Sequence, residues 1–294
     1  MLINQPLLFE IQTKRIFPKP FLKWAGGKSQ LIDQLTDFFP KDFSRYCEPF
    51  AGSAAVYWHI FSLREKGKLS FTSARITDSN AELINTYRIV RDDVRALIEL
   101  LAAHRKSHNK EYYYQIRSLR PGRLTDIERA ARFIYLNKTC FNGLYRVNRS
   151  GQFNVPMGSY KDPAIFDVDE LVTASQALQD VELAACDFKD TLNWAQAGDF
   201  IYFDPPYAPV SKTSSFTSYT EKSFGEREQI ELAALFRQLD SRGCKVMLSN
   251  SWVKPVLDLY KDFTCIEVKA SRAINSNPEK RGKISELVVI NYAP

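Results

Sequence analysis

Asp199-Phe-Ile-Tyr-Phe-Asp204-Pro-Pro-Tyr207 is the stretch around which the rest of the sequence is organised. Phe200, Ile201, Tyr202 and Phe203 make an unbroken apolar run, the pattern of a strand buried on both faces of a parallel sheet. Pro205 and Pro206 end that strand, because neither can donate to a ladder and each stiffens the backbone. The stop leaves an acid, an outward carbonyl and an aromatic ring at a strand's carboxyl end, where open α/β sheets bind ligands. There Asp204 can accept a hydrogen bond from a substrate amine, and Tyr207 can stack on a flat heterocycle. A strand leaving the core through a proline turn, with a partly exposed tyrosine, would read the same way.

Composition bounds the alternatives. The 294 residues are 45% hydrophobic and 25% charged, ordinary for a globular protein of one large domain or a core with an inserted module. No apolar run is long enough to span a bilayer, and Met1–Phe9 lacks a basic start followed by a long apolar core, so neither a membrane span nor a signal peptide is expected. Five scattered cysteines without a C-x-x-C pair, and only three histidines, argue against a zinc site or disulfide framework. Reduced thiols in a cytoplasm are the expectation. The sequons at Asn137 and Asn148 are then chance. A net charge of +6 permits a polyanionic partner without demanding one.

Upstream, Phe21-Leu-Lys-Trp-Ala-Gly-Gly-Lys28 runs into Leu31, Ile32 and Leu35, a glycine turn opening a helix whose amides suit an anion. Gly27-Lys28-Ser29 is not a P-loop, since the required earlier glycine position holds Leu22. Arg45–Val56 reads as strand, tight turn and helix, and its small residues Ala51, Gly52, Ser53 and Ala54 let backbone approach a ligand closely. One strand later comes Asp78, where an acid commonly takes ribose hydroxyls; a helix N-cap at Asp78 or Ser79 is the other reading.

Residues 85–137 read as helical, with apolar stripes at Val94, Leu97, Ile98 and Leu101 and at Ala130, Phe133 and Ile134. Arg117, Arg120, Arg123, Arg129, Arg132, Lys138, Arg146 and Arg149 are interleaved with Tyr112–Tyr114, Tyr135, Phe141 and Tyr145. That density fits a nucleic-acid footprint, although a solvated helix face over core aromatics is the ordinary reading of such a stretch. A hairpin or loop pair follows over 141–161, carrying Asn and Arg that can read base edges. Strands return at 181–188, 200–203, 244–250, 263–268 and 286–292, with a helix over 225–241 and a polar, basic Ser271–Lys283 loop.

Taken in this order, Phe21–Lys28, Glu48-Pro-Phe-Ala-Gly52, Asp78-Ser-Asn-Ala-Glu-Leu-Ile-Asn85, Phe141-Asn-Gly-Leu-Tyr-Arg146, Phe153-Asn-Val-Pro156 and Asp204-Pro-Pro-Tyr207 resemble DNA adenine methyltransferases of the Dam and DpnM type. The resemblance spans about residue 20 to Tyr292. It implies an α/β, Rossmann-like catalytic domain over 18–85 and 169–294, preceded by an arm at 1–17. A mainly helical target-recognition domain with its hairpin would be inserted at 86–168. It implies S-adenosylmethionine (SAM) as methyl donor, no metal, and the exocyclic amine of a flipped adenine in double-stranded DNA, within GATC, as acceptor. By position, Asp204, Pro205, Pro206 and Tyr207 are the implied catalytic residues. Trp24, Ala25, Lys28, Phe50, Asp78, Asp187, Phe188 and Asp204 are the implied cofactor contacts. Lys23, Phe141, Asn142, Leu144, Arg146, Pro156 and Tyr160 are the implied DNA contacts, and a cognate restriction endonuclease is an implied partner. Ala54 departs from the third small glycine of many relatives. An RNA methyltransferase with the same amine chemistry and a DNA-binding protein without turnover are the competing readings.

Overall fold

The structure, a computed structural model, describes residues 17–209, 224–271 and 283–293. Strands β1 (Arg45–Glu48), β2 (Ser73–Asp78), β3 (Val181–Ala185), β4 (Phe200–Phe203), β5 (Lys245–Ser251), β6 (Thr264–Ser271) and β7 (Lys283–Ile290) form one seven-stranded sheet, in the order β3-β2-β1-β4-β5-β7-β6. β1 to β5 pair in parallel, and β7 runs antiparallel between β5 and β6. The chain steps outward from β1 through β2 to β3, then returns to β4 on the other side of β1. This is a doubly wound, Rossmann-like sheet with its switch point between β1 and β4, the place where such sheets take ligands.

All four residues of β4 are buried, as the apolar run requires. They alternate between two cores: Phe200 and Tyr202 join the cluster on one face, Ile201 and Phe203 the cluster on the other. The first face is covered by α1 (Ile32–Thr36), α2 (Ala55–Glu65), α3 (Ala81–Asp92), α4 (Val94–Ser107), α5 (Lys110–Ser118), α6 (Asp126–Thr139) and α7 (Val168–Ala177). The second is covered by α8 (Thr191–Trp194), α9 (Glu226–Ser241) and α10 (Lys254–Leu259). Among the described residues, no helix is long and apolar enough to cross a membrane.

The helical stretch forms where periodicity placed it. Leu97 and Leu101 are fully buried on α4, and Ala130, Phe133 and Ile134 are buried on α6. Thr125 and Glu128 close a capping box at the start of α6. The basic, aromatic face is thinner than the sequence implies. Arg129 is engaged by Glu82 at 2.5 Å and Asp126 at 2.8 Å. Arg132 is buried and donates to the carbonyls of Ile116 and Arg117 at 3.0 and 2.9 Å. Tyr113 and Tyr135 are core residues, whereas Arg120, Arg123 and Arg149 remain exposed. Charge count overstates this face because helix packing consumes two of its cations. The N-terminal arm, apart from residue 17, and the Ser271–Lys283 loop, apart from its ends, lie outside the described residues.

The amino ends of β1 and β4 are locked together. Arg45 donates from Nη2 to Asp199 Oδ2 at 2.6 Å and from Nε to Oδ1 at 3.2 Å, while the Gln196 amide also donates to Asp199, at 2.8 Å. Asp199→Ala strands a guanidinium whose side chain is 20% exposed, so a loss of about 3 kcal/mol in urea unfolding is expected. The break lies at the sheet end remote from Asp204, so catalysis at low temperature should survive it.

Candidate active site

Glu48 ends β1, Asp78 ends β2, and Asp204 directly follows β4. These strands are neighbours in the sheet, so three carboxylates gather at its carboxyl edge, on either side of the switch point. Each is held differently. Glu48 is buried and accepts from the Tyr46 hydroxyl at 2.7 Å and the Tyr57 amide at 3.1 Å. Burial pushes its carboxyl up to about 8, with Asp204 and Asp78 adding repulsion against those hydrogen bonds. Asp78 accepts from the Gly52 amide at 3.1 Å and the Asn80 amide at 2.9 Å. Burial raises its pKa and those amides oppose the rise. Asn80, rather than Asp78 or Ser79, caps α3, accepting from the amides of Glu82 and Leu83. Asp78 is thereby left to face the turn.

Asp204 meets Lys28. The ammonium sits 2.6 Å from Asp204 Oδ1, donates to the Gly26 carbonyl at 3.0 Å, and lies 4.4 Å from the centre of the Tyr207 ring. Burial raises the Asp204 pKa, Lys28 pulls it back, and Glu286 adds to the rise. The Tyr207 hydroxyl donates to Glu286 Oε2 at 2.7 Å. Pro205 is buried and Pro206 exposed. Gln229 donates to the Pro206 carbonyl at 3.1 Å, Asn250 accepts the Ala208 amide at 3.2 Å, and Ser251 donates to the Ala208 carbonyl at 2.7 Å. Asn250 and Gln229 are themselves bonded at 2.9 Å. This bracing by β5 and α9 has no motif in the sequence. The polar Ser249-Asn250-Ser251 ending to an otherwise apolar strand was its one sign.

The turn between β1 and α2 is tight. Gly52 and Ala54 both have positive φ, +47° and +52°, so Ala54 accepts a left-handed conformation where glycine would be unstrained. A Cβ on Gly52 would fall 2.7 Å from Trp24 Cδ1, so the indole rests on the turn itself. Trp24 also stacks on Tyr145 at 5.9 Å and 20°. Phe50 and Phe188 stack at 5.4 Å and 25°, while Ala25 and Asp187 are exposed beside these segments. Asp187 caps the short turn after β3, accepting from the Lys189 amide at 3.0 Å. Carboxylates, stacked rings and a turn closed by Gly52 against Trp24 form a set of groups suited to a cationic, nucleoside-bearing molecule.

The DNA-contact candidates form a second group. Phe141, Asn142, Leu144 and Pro156 are exposed, with Phe141 at 50%. The hairpin exists as two bridges, Cys140 to Met157 and Val147 to Phe153. Arg146 donates to Asn154 Oδ1 at 2.6 Å. Lys23 Nζ lies 4.3 Å from the Tyr160 ring centre. Asn137, which the sequence marked only as a chance sequon, joins the segments: it accepts the Lys23 amide at 2.8 Å and donates to the carbonyls of Lys23 and Gly143 at 2.7 and 3.1 Å. Among the described residues no cluster of His, Cys, Asp or Glu could hold a metal.

The carboxyl edge of the sheet thus joins an acid-Pro-Pro-aromatic tetrapeptide to two further carboxylates, Glu48 and Asp78, at the switch point. The family described as D12 class N6 adenine-specific DNA methyltransferase matches residues 24–274, and the chain belongs to it. It is an adenine-specific DNA methyltransferase, with S-adenosylmethionine indicated as methyl donor. It is 43% identical to the Type II methyltransferase M1.LlaDCHI of Lactococcus lactis subsp. cremoris, over 96% of this chain and 98% of that one. It is also 43% identical to M.MjaIII of Methanocaldococcus jannaschii, over 93% and 99%. The DNA adenine methylase of Haemophilus influenzae is 35% identical over 92% and 93%.

The raised Glu48 carboxyl carries a pH signature. An unfolded chain releases this proton in the ordinary carboxylate range, whereas the folded chain keeps it to about 8. The stability it contributes is complete in acid and is lost as pH climbs through that value. Glu48→Gln should therefore flatten the fall in melting temperature between about pH 5 and about pH 9. An unchanged slope, followed by circular dichroism at constant ionic strength, contradicts the assignment.

Proposed function

We propose that the chain methylates the exocyclic N6 amine of adenine within GATC in double-stranded DNA, acting on a base flipped out of the helix. The grouping of Lys28, Asp204 and Tyr207 at the end of β4 carries this reading. The target amine is buried in a duplex, so the base must be extruded at a cost of a few kcal/mol. Phe141, half-exposed on its turn, fills the gap in the stack. Tyr207 stacks on the extruded ring, a contact worth roughly 1–3 kcal/mol. Asp204 and the Pro205 carbonyl accept the two amine hydrogens, which localises the nitrogen lone pair and aims it for an in-line displacement. Lys28 opposes the rise that burial imposes on the Asp204 pKa, which favours the carboxylate as an acceptor.

The residues that would hold S-adenosylmethionine are Trp24, Ala25, Lys28, Phe50, Asp78, Asp187, Phe188 and Asp204. When bound, it supplies an electrophilic methyl group on a sulfonium. Asp78 suits ribose hydroxyls, the Phe50–Phe188 pair offers an apolar surface to a purine, and the flanking carboxylates favour positive charge. Lys23, Asn142, Leu144, Arg146, Pro156 and Tyr160 read the bases, with Arg146 suited to a guanine edge. Residues 86–168 serve as the target-recognition part, and the enzyme works in the cytoplasm. The Type II methyltransferase names of the two 43%-identical relatives support a cognate restriction endonuclease as partner.

Tritiated methyl transfer from S-adenosylmethionine to duplexes carrying GATC or GTAC tests the reading. Incorporation into the GATC duplex alone is expected. Equal incorporation into both removes the specificity assignment, and transfer only to RNA removes the substrate class. Asp204→Ala should lower the single-turnover rate by at least about a hundredfold while DNA affinity changes little, because the lost contact orients the reacting amine. Near-full activity in that variant overturns the catalytic assignment.

A further inference from the structure

We propose that Glu286 is a positioning residue for the methyl-transfer step, fixing the plane of the Tyr207 ring on which the target base stacks. The proposal rests on the functional reading above and extends the site to β7, a strand that carries none of the sequence motifs. Tyr207 lies on a loop that begins with two prolines, and Gln229, Asn250 and Ser251 hold the main chain on either side of it. Those bonds locate the residue but leave its ring free to turn about the side-chain torsions. Its phenol needs a second anchor, and Glu286 provides one at 2.7 Å.

The anchor is stiff because of where it sits. Glu286 pairs with Ser251 of β5 on one side and Val268 of β6 on the other, so its backbone is held by two ladders. Since β7 runs antiparallel, its first half lies at the edge of the sheet where β4 and β5 end. An acid early in β7 therefore arrives beside the tetrapeptide. Lys28 stands against the ring face at 4.4 Å from its centre. The phenol is thus fixed at its tip by an anion, and the ring face meets a cation. A ring held at both its backbone and its hydroxyl presents one fixed platform, and preorganised placement of this kind accelerates only the chemical step.

Three variants separate hydrogen bonding from charge and from folding. Glu286→Ala removes the acceptor, Glu286→Gln keeps an acceptor without the charge, and Tyr207→Phe keeps the ring without the donor. Single-turnover methyl transfer is measured with saturating GATC duplex, alongside DNA and S-adenosylmethionine affinity. We expect Glu286→Ala to slow transfer about tenfold with affinities within about twofold, and Glu286→Gln to recover most of that loss. In a Tyr207→Phe background, which should itself lose about tenfold, Glu286→Ala should add less than about twofold.

Independent, multiplying losses in the double variant, no loss in Glu286→Ala, or no rescue by Glu286→Gln each overturn the proposal. If Glu286→Ala does not fold, the comparison of Tyr207→Phe alone with Tyr207→Phe/Glu286→Gln decides: a further loss of tenfold overturns it, and near-equality supports it. Transfer by the wild-type chain tests the functional reading separately. An inactive wild type overturns both, whereas an active wild type with unaffected variants overturns the positioning role alone.

Discussion

A carboxylate held away from water drifts toward its neutral form unless a cation stands beside it, and the pairing of Asp204 with Lys28 meets that constraint. The ion pair joins the end of β4 to the glycine turn preceding α1, segments far apart in the sequence. Lys28 is itself buried at 5% exposure, so its ammonium needs Asp204 and the Gly26 carbonyl as much as Asp204 needs it. Neither segment is fully specified alone. Pro205 and Pro206 stop the strand but do not choose what the acid faces; the Gly26-Gly27 turn bends the chain but does not choose where Lys28 ends.

The same N-terminal segment also ties the turn between β1 and α2 to the hairpin bridged at Cys140–Met157 and Val147–Phe153. Trp24 lies against Gly52 on one side and stacks with Tyr145 on the other. One residue earlier, the backbone of Lys23 is clasped by Asn137, whose amide also reaches Gly143. Gly143 has φ +64°, and a Cβ there would fall 2.5 Å from Lys23 Cβ, so only glycine lets the two strips of chain approach so closely. Buried at 2% exposure, Asn137 has its side-chain oxygen and nitrogen both bonded to backbone. A fully satisfied buried amide specifies one arrangement, because any slip strands a polar group.

Much of the fold was legible because it rests on local patterning. The apolar run 200–203 is a doubly buried strand, the stripes on α4 and α6 are core, and Asp204, Asp78 and Glu48 do fall at strand ends. What was not legible depends on partners far away in sequence. Arg129 and Arg132 look like free cations until Glu82 and two carbonyls claim them. Asn137 resembled a chance sequon, although its role is set by Lys23 and Gly143. Glu286 was only the first residue of an expected strand, since nothing local predicts that β7 inserts between β5 and β6. Side chains that act through tertiary hydrogen bonds leave no periodic trace.

The reversal of β7 explains why the site needs more than the usual parallel edge. In a purely parallel sheet every strand presents its carboxyl end at the ligand rim, and the residues there point out from loops. An antiparallel strand brings its beginning to that rim, and Glu286 enters the site from within two ladders. Asp204, by contrast, sits just past the last hydrogen-bonded residue of β4 and depends on Lys28 for its placement. The result is a loop carboxylate held by a buried ammonium beside a ring that is held at its tip. An acid held by a cation and an acid held by two ladders thus meet around one tyrosine, at the sheet edge where β4 stops and β7 begins.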